Sequence, residues 1–264
     1  MDGFIHPAKR TEQRETILAI PADEDTTALI ATTPELQIQA YRIRHEGYLF
    51  YNYITPRDGG LFMDAYDRAE NERTVIIYRG TKAAATIRVC LRDRYGTWPD
   101  ADKVPAMEIF QDEILELEEK AIRIGRPGRV IEITRFACDP AFSNDRSLII
   151  CAFRIVAYLR LYFDADIMLN AVRPHHMPMY RRLGFRKIEE PRQYPNLTYK
   201  AGLMAMFPEQ YEEALRKIGF PEGVSVSDPV YARLMAGELV PVFSSSWSNR
   251  QPIVMSEANL PATR

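Results

Sequence analysis

The stretch Val130-Ile131-Glu132-Ile133-Thr134-Arg135-Phe136-Ala137-Cys138-Asp139-Pro140 decides how the rest of the chain is read. It is rich in β-branched and aromatic residues, enters after the breakers Pro127 and Gly128, and stops at Asp139-Pro140, which predicts a strand. A run this apolar is covered on both faces, and a carboxylate inside it needs a partner or a function to offset its desolvation. Glu132 and Arg135 either partner each other or serve separate roles. Strand residues three apart point to opposite faces unless a bulge intervenes. A bulge here would turn a backbone N–H out of the ladder and free it to polarise a carbonyl, as an acyl-transfer site requires.

Downstream, Ser147 to Phe163 is strongly apolar at helical spacing and Ile167 to Val172 reads as a second buried strand. Strand, helix and strand in that order make the crossover of a parallel pair. Pro174 to Phe185 reads as a short helix with Pro178 in its first turn and Gly184 as its stop. Phe185–Ile188 and Leu197–Met206 are expected to pair as the last strands. Upstream, Thr74–Tyr78 and Ala83–Leu91 flank Arg79-Gly80-Thr81-Lys82 as a hairpin. Arg88 lies within its second strand, and a buried arginine demands an anion, with Asp64, Asp67 and Glu132 as candidates. Asp64 and Asp67, three apart in a turn-rich loop, suit an amine or a metal, or are solvated turn residues. Before them, Thr33-Pro34-Glu35 opens a helix expected to run to Phe50, with Leu36, Ala40, Ile43, Gly47 and Phe50 facing the core. Arg44 and Tyr48 share a neighbouring face and could reach a ligand together. In the acidic helix Glu108–Lys120, residues Glu113, Glu116, Glu118 and Glu119 form an expected solvated face.

The chain of 264 residues with 46% hydrophobic content can bury one large core. Residues 1–30 read as an arm with an edge strand in Thr16–Ile20. Residues 31–206 form the main domain, and 207–264 a helical extension, with helices at Glu209–Ile218 and Pro229–Met235 and a weakly ordered tail after Val240. A net charge of −2 and a pI near 6.2 give no overall electrostatic case for nucleic acid or an anionic membrane. Cys90, Cys138 and Cys151 are widely spaced and odd in number, as reduced core thiols are; only Arg135 stands near enough in sequence to activate Cys138. His175 and His176 are adjacent on a turn and point apart, so no metal site is expected. The first residues carry no secretory signal pattern and no apolar run approaches about 18 residues, so a cytoplasmic protein without an integral membrane segment is expected.

From the central strand to Tyr180-x-x-Leu183-Gly184-Phe185 the order of elements resembles the GNAT superfamily of N-acyltransferases. The expected fold is therefore α/β (α+β), a three-layer arrangement with a mixed central sheet flanked by helices and a C-terminal helical extension. The superfamily's glycine-rich coenzyme A loop falls at Phe142-Ser-Asn-Asp-Arg146-Ser-Leu148, which has no glycine to let a pyrophosphate approach the helix N-terminus. A narrower resemblance accounts for that. The chain is similar to the acyl-homoserine-lactone synthases and the N-acyl-amino-acid synthases, which take acyl groups from acyl-carrier protein. Their motifs are matched by Arg44 and Tyr48 in the first helix, Asp64 and Asp67 before the hairpin, Arg88 in its second strand, and Glu132, Arg135 and Phe136 on the central strand. Lactone synthases place a tryptophan where this chain has Ile54, which favours the amino-acid branch.

The resemblance implies direct transfer of a fatty acyl group from a carrier-protein phosphopantetheine thioester to the amine of an amino acid, with no tightly bound cofactor and acyl-CoA as the weaker donor. Glu132, directly or through a water, is the implied base. Backbone N–H groups at Phe136, Ala137 and Cys138 would hold the oxyanion, Tyr180 would protonate the departing thiolate, and Arg135 and Arg88 would hold the acceptor carboxylate or organise the two aspartates. A groove where Ile167–Val172 leaves the central strand would take the pantetheine arm, and an apolar tunnel the acyl chain. Arg146, Arg154, Arg160, Arg181 and Arg182 are the candidate contacts for an acidic carrier protein. The alternatives are a lactone synthase using S-adenosylmethionine, a coenzyme A-dependent N-acetyltransferase, and a non-catalytic module that binds acyl chains or carrier protein.

Overall fold

The computed structural model describes residues 16–18, 26–194, 197–217, 224–243 and 253–255. In chain order the strands and longer helices are β1 (Thr16–Leu18), β2 (Thr26–Ile30), α1 (Pro34–Phe50), β3 (Glu72–Arg79), β4 (Lys82–Arg92), α2 (Met107–Arg123), β5 (Val130–Cys138), α3 (Ser147–Phe163), β6 (Ile167–Val172), α4 (Met177–Arg182), β7 (Arg186–Lys187), β8 (Arg192–Gln193), β9 (Lys200–Met206), α5 (Pro208–Lys217), α6 (Pro229–Met235), β10 (Val240–Pro241) and β11 (Ile253–Met255). A single large sheet runs β10-β2-β3-β4-β5-β6-β9-β7, with β8 also on β9, and β1 pairs separately with β11. Every ladder is antiparallel except β5 with β6, the pair joined through α3.

Side-chain alternation builds the layers. Val75 and Ile77 of β3, Val89 and Leu91 of β4, Ile131 and Ile133 of β5 and Met168 of β6 share one core with α3. Their alternates Cys90, Val130 and Leu169 pack with Phe110, Ile114 and Leu117 of α2 on the opposite face, and Ile76 packs there with Ala40 and Ile43 of α1. The sheet is thus covered on both faces, as the apolar β5 run requires. α1 is capped by Thr33, whose hydroxyl accepts from the Leu36 N–H at 3.4 Å, and it lies so close to β5 that a Cβ on Gly47 would stand 2.4 Å from the Cys138 carbonyl oxygen.

Several elements depart from the sequence reading. Thr26–Ile30, taken as arm, is a strand between β3 and β10, because its alternating Ala28 and Ile30 join the α3 core. Val240, Val242 and Phe243, taken as the start of a weakly ordered tail, are buried; the rest of that tail, apart from Ile253–Met255, lies outside the described residues, as do residues 1–15. Phe50 is 54% exposed, and α1 turns Tyr41, Arg44, His45 and Tyr48 inward instead. Glu118 is buried rather than solvated, because Arg92 reaches it from β4 at 2.5 Å. Among the described residues no helix is long and apolar enough to cross a membrane.

Candidate active site

The centre of β5 is bulged. Thr86 pairs with Ala137 while Arg88 pairs with Thr134, so three steps of β5 face two of β4. Arg135 sits inside the extra length with φ of 54°, a left-handed conformation that costs an arginine about 1 kcal/mol or more and persists only where its surroundings hold it. The bulge puts Arg135 on the face already occupied by Glu132 and Arg88. A regular strand would have sent it into the α3 core.

What holds Arg135 is Asp64. Its Nε and Nη2 donate to Asp64 Oδ2 at 3.0 and 2.6 Å, while Arg88 donates to both oxygens of the same carboxylate at 2.7 and 3.1 Å. Asp67 completes the network: its Oδ1 accepts from Arg44 at 2.5 Å and lies 2.7 Å from Arg88, and its Oδ2 accepts from the Asp64 N–H at 2.8 Å. The two aspartates cap the same turn of 3-10 helix, Ala65–Arg68. Burial alone would raise Asp64, but Arg88 and Arg135 override it and hold the carboxyl well below the usual range. Arg44 also donates to Thr74, whose hydroxyl donates to Glu72; burial pushes Glu72 up to about 7.

Glu132 stands apart from Arg135, and no ion pair joins them. Its side chain is fully buried, Oε2 accepts from the Ala106 N–H at 2.6 Å, and Oε1 has no hydrogen-bond partner among the described residues. Burial pushes the carboxyl up to about 7, against the opposing pull of that N–H and of Arg88 and Arg135. An orphaned oxygen on a buried acid is unusual enough to need an explanation.

Immediately beyond Glu132 the sheet opens. The parallel ladder runs from Val130 with Ile167 to Glu132 with Leu169 and stops, while β6 stays paired with β9 as far as Val172. The separation makes a cavity of about 110 Å³ lined by Ile133–Phe136 of β5, Asn170–Val172 of β6, and Tyr48, Tyr53, Arg173, His176, Tyr180, Tyr194 and Tyr199. The β5–β6 ladder has no further residue pair beyond Glu132, so β5 from Ile133 onward runs without a β6 partner residue. Tyr180 is presented by α4, beyond whose end Gly184 has φ of 96° and a Cβ would lie 3.0 Å from Met206 and Gln210. Its ring packs edge-on against Phe153 and Phe185. Burial pushes its hydroxyl up to about 12, with Asn170 pulling the other way, so it holds its proton at neutral pH. Burial, then Arg173, pushes His176 down to about 4, leaving it neutral.

The expected residues therefore divide. Arg44, Asp64, Asp67, Arg88 and Arg135 form one buried network, with Arg88 and Arg135 organising the aspartates. Tyr48, Phe136 and Tyr180 line the cleft, whereas Arg44 is turned to Asp67 and Thr74. Ala137 is buried behind the cleft, against Tyr48, Phe62 and Tyr194. Glu132 is not among the residues that line the cleft, an arrangement that suits the water-mediated form of its expected role rather than the direct one. Burial pushes Cys138 up to about 12, with Asp145 and Asp139 adding to it, and all three cysteines are free. Arg146 and Arg181 are exposed and Arg182 half-buried. Arg154 is not a surface group: it is 8% exposed and donates to the Val242 carbonyl at 2.8 Å, because the segment after α6 folds over α3. Arg160 is half-buried and donates to the Ala165 carbonyl at 3.2 Å. Sequence reasoning missed Tyr53, Tyr194, Tyr199 and Arg173, and weighed His176 only as a metal ligand. The aromatic density of Tyr51-Asn-Tyr53 and of Tyr194 with Tyr199 is the signal that could have found the tyrosines.

At the head of α3, Asp145 accepts from the Ser147 N–H at 3.1 Å and is held by Arg79. The chain's own carboxylate thus occupies the helix N-terminus, where an anion would otherwise bind.

Comparison with known proteins gives the family and the fold. The family model described as N-acyl amino acid synthase FeeM matches residues 39–206. The solved structure of FeeM, an N-acyl amino acid synthase from uncultured soil microbes, is 19% identical with a TM-score of 0.59, covering 75% of this chain and 98% of that one. A coenzyme A-dependent acyl-homoserine lactone synthase, BjaI, solved with MTA, is 16% identical with a TM-score of 0.51, covering 75% and 90%. The lactone synthase LasI is 13% identical with a TM-score of 0.50, covering 72% and 94%. At these identities the likeness is one of fold. No curated protein matches the chain.

Proposed function

The chain belongs to the N-acyl amino acid synthase FeeM family of acyltransferases, and we propose that it moves a fatty acyl group from an acyl-carrier-protein thioester directly to the amine of an amino acid. The observation that carries this reading is the cleft where β5 and β6 part, with the bulge of Arg135 and Phe136 on one wall and Tyr180 on the other. The thioester carbonyl lies along β5, where N–H groups of the segment beyond Glu132, which has no β6 partner residue, hold the developing oxyanion. The amine lone pair attacks the carbonyl carbon, the C–S bond breaks, and Tyr180 gives its proton to the leaving thiolate.

The amine's own proton goes to Glu132. That carboxyl titrates near neutrality and has an oxygen free to accept, but it does not line the cleft, so an intermediary carries the proton. Tyr194 suits this relay, since it lines the cleft and its hydroxyl has no partner among the described residues. Burial, then the charge of Glu132, pushes that hydroxyl well above the ordinary tyrosine range, so it passes one proton on only as it receives another. The carrier-protein donor is supported by Asp145, whose carboxylate fills the seat a coenzyme A pyrophosphate would use. Exposed Arg146 and Arg181, with Arg182, are the proposed contacts for an acidic carrier.

The test is to incubate the purified protein with dodecanoyl-carrier protein or dodecanoyl-coenzyme A and a pool of the twenty amino acids, and to identify products by mass spectrometry. An N-dodecanoyl amino acid formed at least tenfold faster from the carrier protein supports the whole reading. Equal rates from both donors would remove the carrier-protein part alone. No product from either donor would overturn the acyl transfer itself.

A further inference from the structure

Arg44, Arg88 and Arg135 each donate to an aspartate of the chain. Arg173 differs. Its guanidinium stacks 3.7 Å from the Tyr53 ring centroid and 5.3 Å from that of Tyr199. Nη2 lies 3.2 Å from His176 Nε2, and Nη1 is buried with no partner among the described residues. No carboxylate of the described residues pairs with it. The hydrogen-bonding neighbour of the guanidinium is a histidine that stays uncharged, so the cation is uncompensated. A half-buried guanidinium left this way costs stability unless a ligand supplies the anion.

Its position narrows the ligand. Arg173 lines both the inner cleft that holds Tyr180 and an adjoining outer cavity of about 330 Å³ bounded by Tyr51, Tyr53, His175 and Tyr199. An anion held there lies within one small molecule's reach of the bulged wall. The pantetheine phosphate lies many bonds from its thioester and cannot sit there while the carbonyl is at β5. The α-carboxylate of an amino acid lies two bonds from its amine, so it can.

Resting on the acyl-transfer reading above, we propose that Arg173 is the residue that binds the acceptor's carboxylate, selecting amino acids over simple amines. Tyr53 and Tyr199 stack on the guanidinium, and its unpartnered Nη1 supplies the donor that a carboxylate accepts. The amine then points inward from the outer cavity toward the carbonyl.

The test uses the full chain with dodecanoyl-carrier protein and two acceptor pairs, phenylalanine with phenethylamine and tyrosine with tyramine, in the wild type, Arg173→Lys and Arg173→Gln. We expect the wild type to prefer the amino acid of each pair. In Arg173→Gln the KM for that amino acid should rise roughly tenfold to a hundredfold, the loss of one charge-assisted contact, with the amine's kcat/KM unchanged and Arg173→Lys recovering part of the difference. A second arm needs no turnover: N-dodecanoyl-phenylalanine should raise the Tm of the wild type more than the carboxylate-free N-(2-phenylethyl)dodecanamide, and Arg173→Gln should erase the difference. Equal losses on acid and amine, an unchanged KM in Arg173→Gln, or equal Tm shifts by the two lipids would overturn the assignment. A wild type that acylates only the amines would overturn it while leaving acyl transfer standing, whereas one that acylates neither would remove the reading on which it rests.

Discussion

Arg135 and Asp64, 71 positions apart, are joined by two hydrogen bonds from one guanidinium to one carboxylate oxygen, at 3.0 and 2.6 Å. The pair fixes the bulge: a left-handed arginine in a central strand needs an anchor, and the loop carrying Asp64 is in turn held by Arg88 and by Asp67. The bulged wall of the cleft is thus shaped by an ion network whose aspartates do not themselves line it.

Asp64→Asn should lower stability by about 3–5 kcal/mol, because Arg88 and Arg135 lose a shared counter-charge in a buried setting. For a chain of this length that is a fall in Tm on the order of ten degrees. Adding Arg135→Met should restore part of it, a non-additivity that thermal denaturation of the four proteins in the cycle would measure. Fully additive losses would mean the two residues act independently.

Tyr180→Phe should reduce kcat roughly a hundredfold with little change in KM, the scale of a lost general acid. Its Tm should stay close to the wild type, since the ring still packs on Phe153 and Phe185. Steady-state kinetics beside a melting curve decide it.

Glu132 fixes the sign of two pH effects. Its folded value, near 7, is above its ordinary 4.5, so as a base it works only when ionised, and kcat/KM should climb as pH rises through about 7. For stability, the protonated carboxyl's contribution is fully present below 4.5 and lost as pH rises to about 7. Glu132→Gln should therefore abolish turnover while gaining stability relative to the wild type between about pH 5 and pH 8, by on the order of 3 kcal/mol. Tm measured across that range tests it. Asp64 runs oppositely: its contribution is present above 3.8 and lost on further acidification.

Gly47→Ala should cost about 1–3 kcal/mol, because its Cβ would stand 2.4 Å from the Cys138 carbonyl oxygen and force α1 away from β5. Gly80→Ala, where nothing lies within 4 Å of the added atom but φ is 56°, should cost about 1 kcal/mol from the left-handed backbone alone, and denaturant midpoints compare the two.

The elements that carry their own periodicity were legible in the sequence: α3 and β6 begin and end at the residues their apolar patterns indicated, and the three-residue spacing of Glu132 and Arg135 already raised the bulge. Asp64 and Asp67 could be placed by their order among other motifs. Arg173 could not, because a lone arginine after a strand resembles any rim charge until the fold sets Tyr53 and Tyr199 against it. Arg154 misled for a related reason: its place on α3 looked outward until the segment after α6 folded over it. The burial of Glu132 follows from the chain crossing above it at Ala106, a contact between residues 26 positions apart that no local pattern announces.

The central claim is most directly tested by mass spectrometry of lipid extracts from cells overproducing the wild type, Tyr180→Phe and Glu132→Gln. The account predicts N-acyl amino acids that appear with the wild type and fall sharply or vanish with each variant. Undiminished N-acyl amino acids in both variants, or no new lipid with the wild type at full soluble expression, would contradict it.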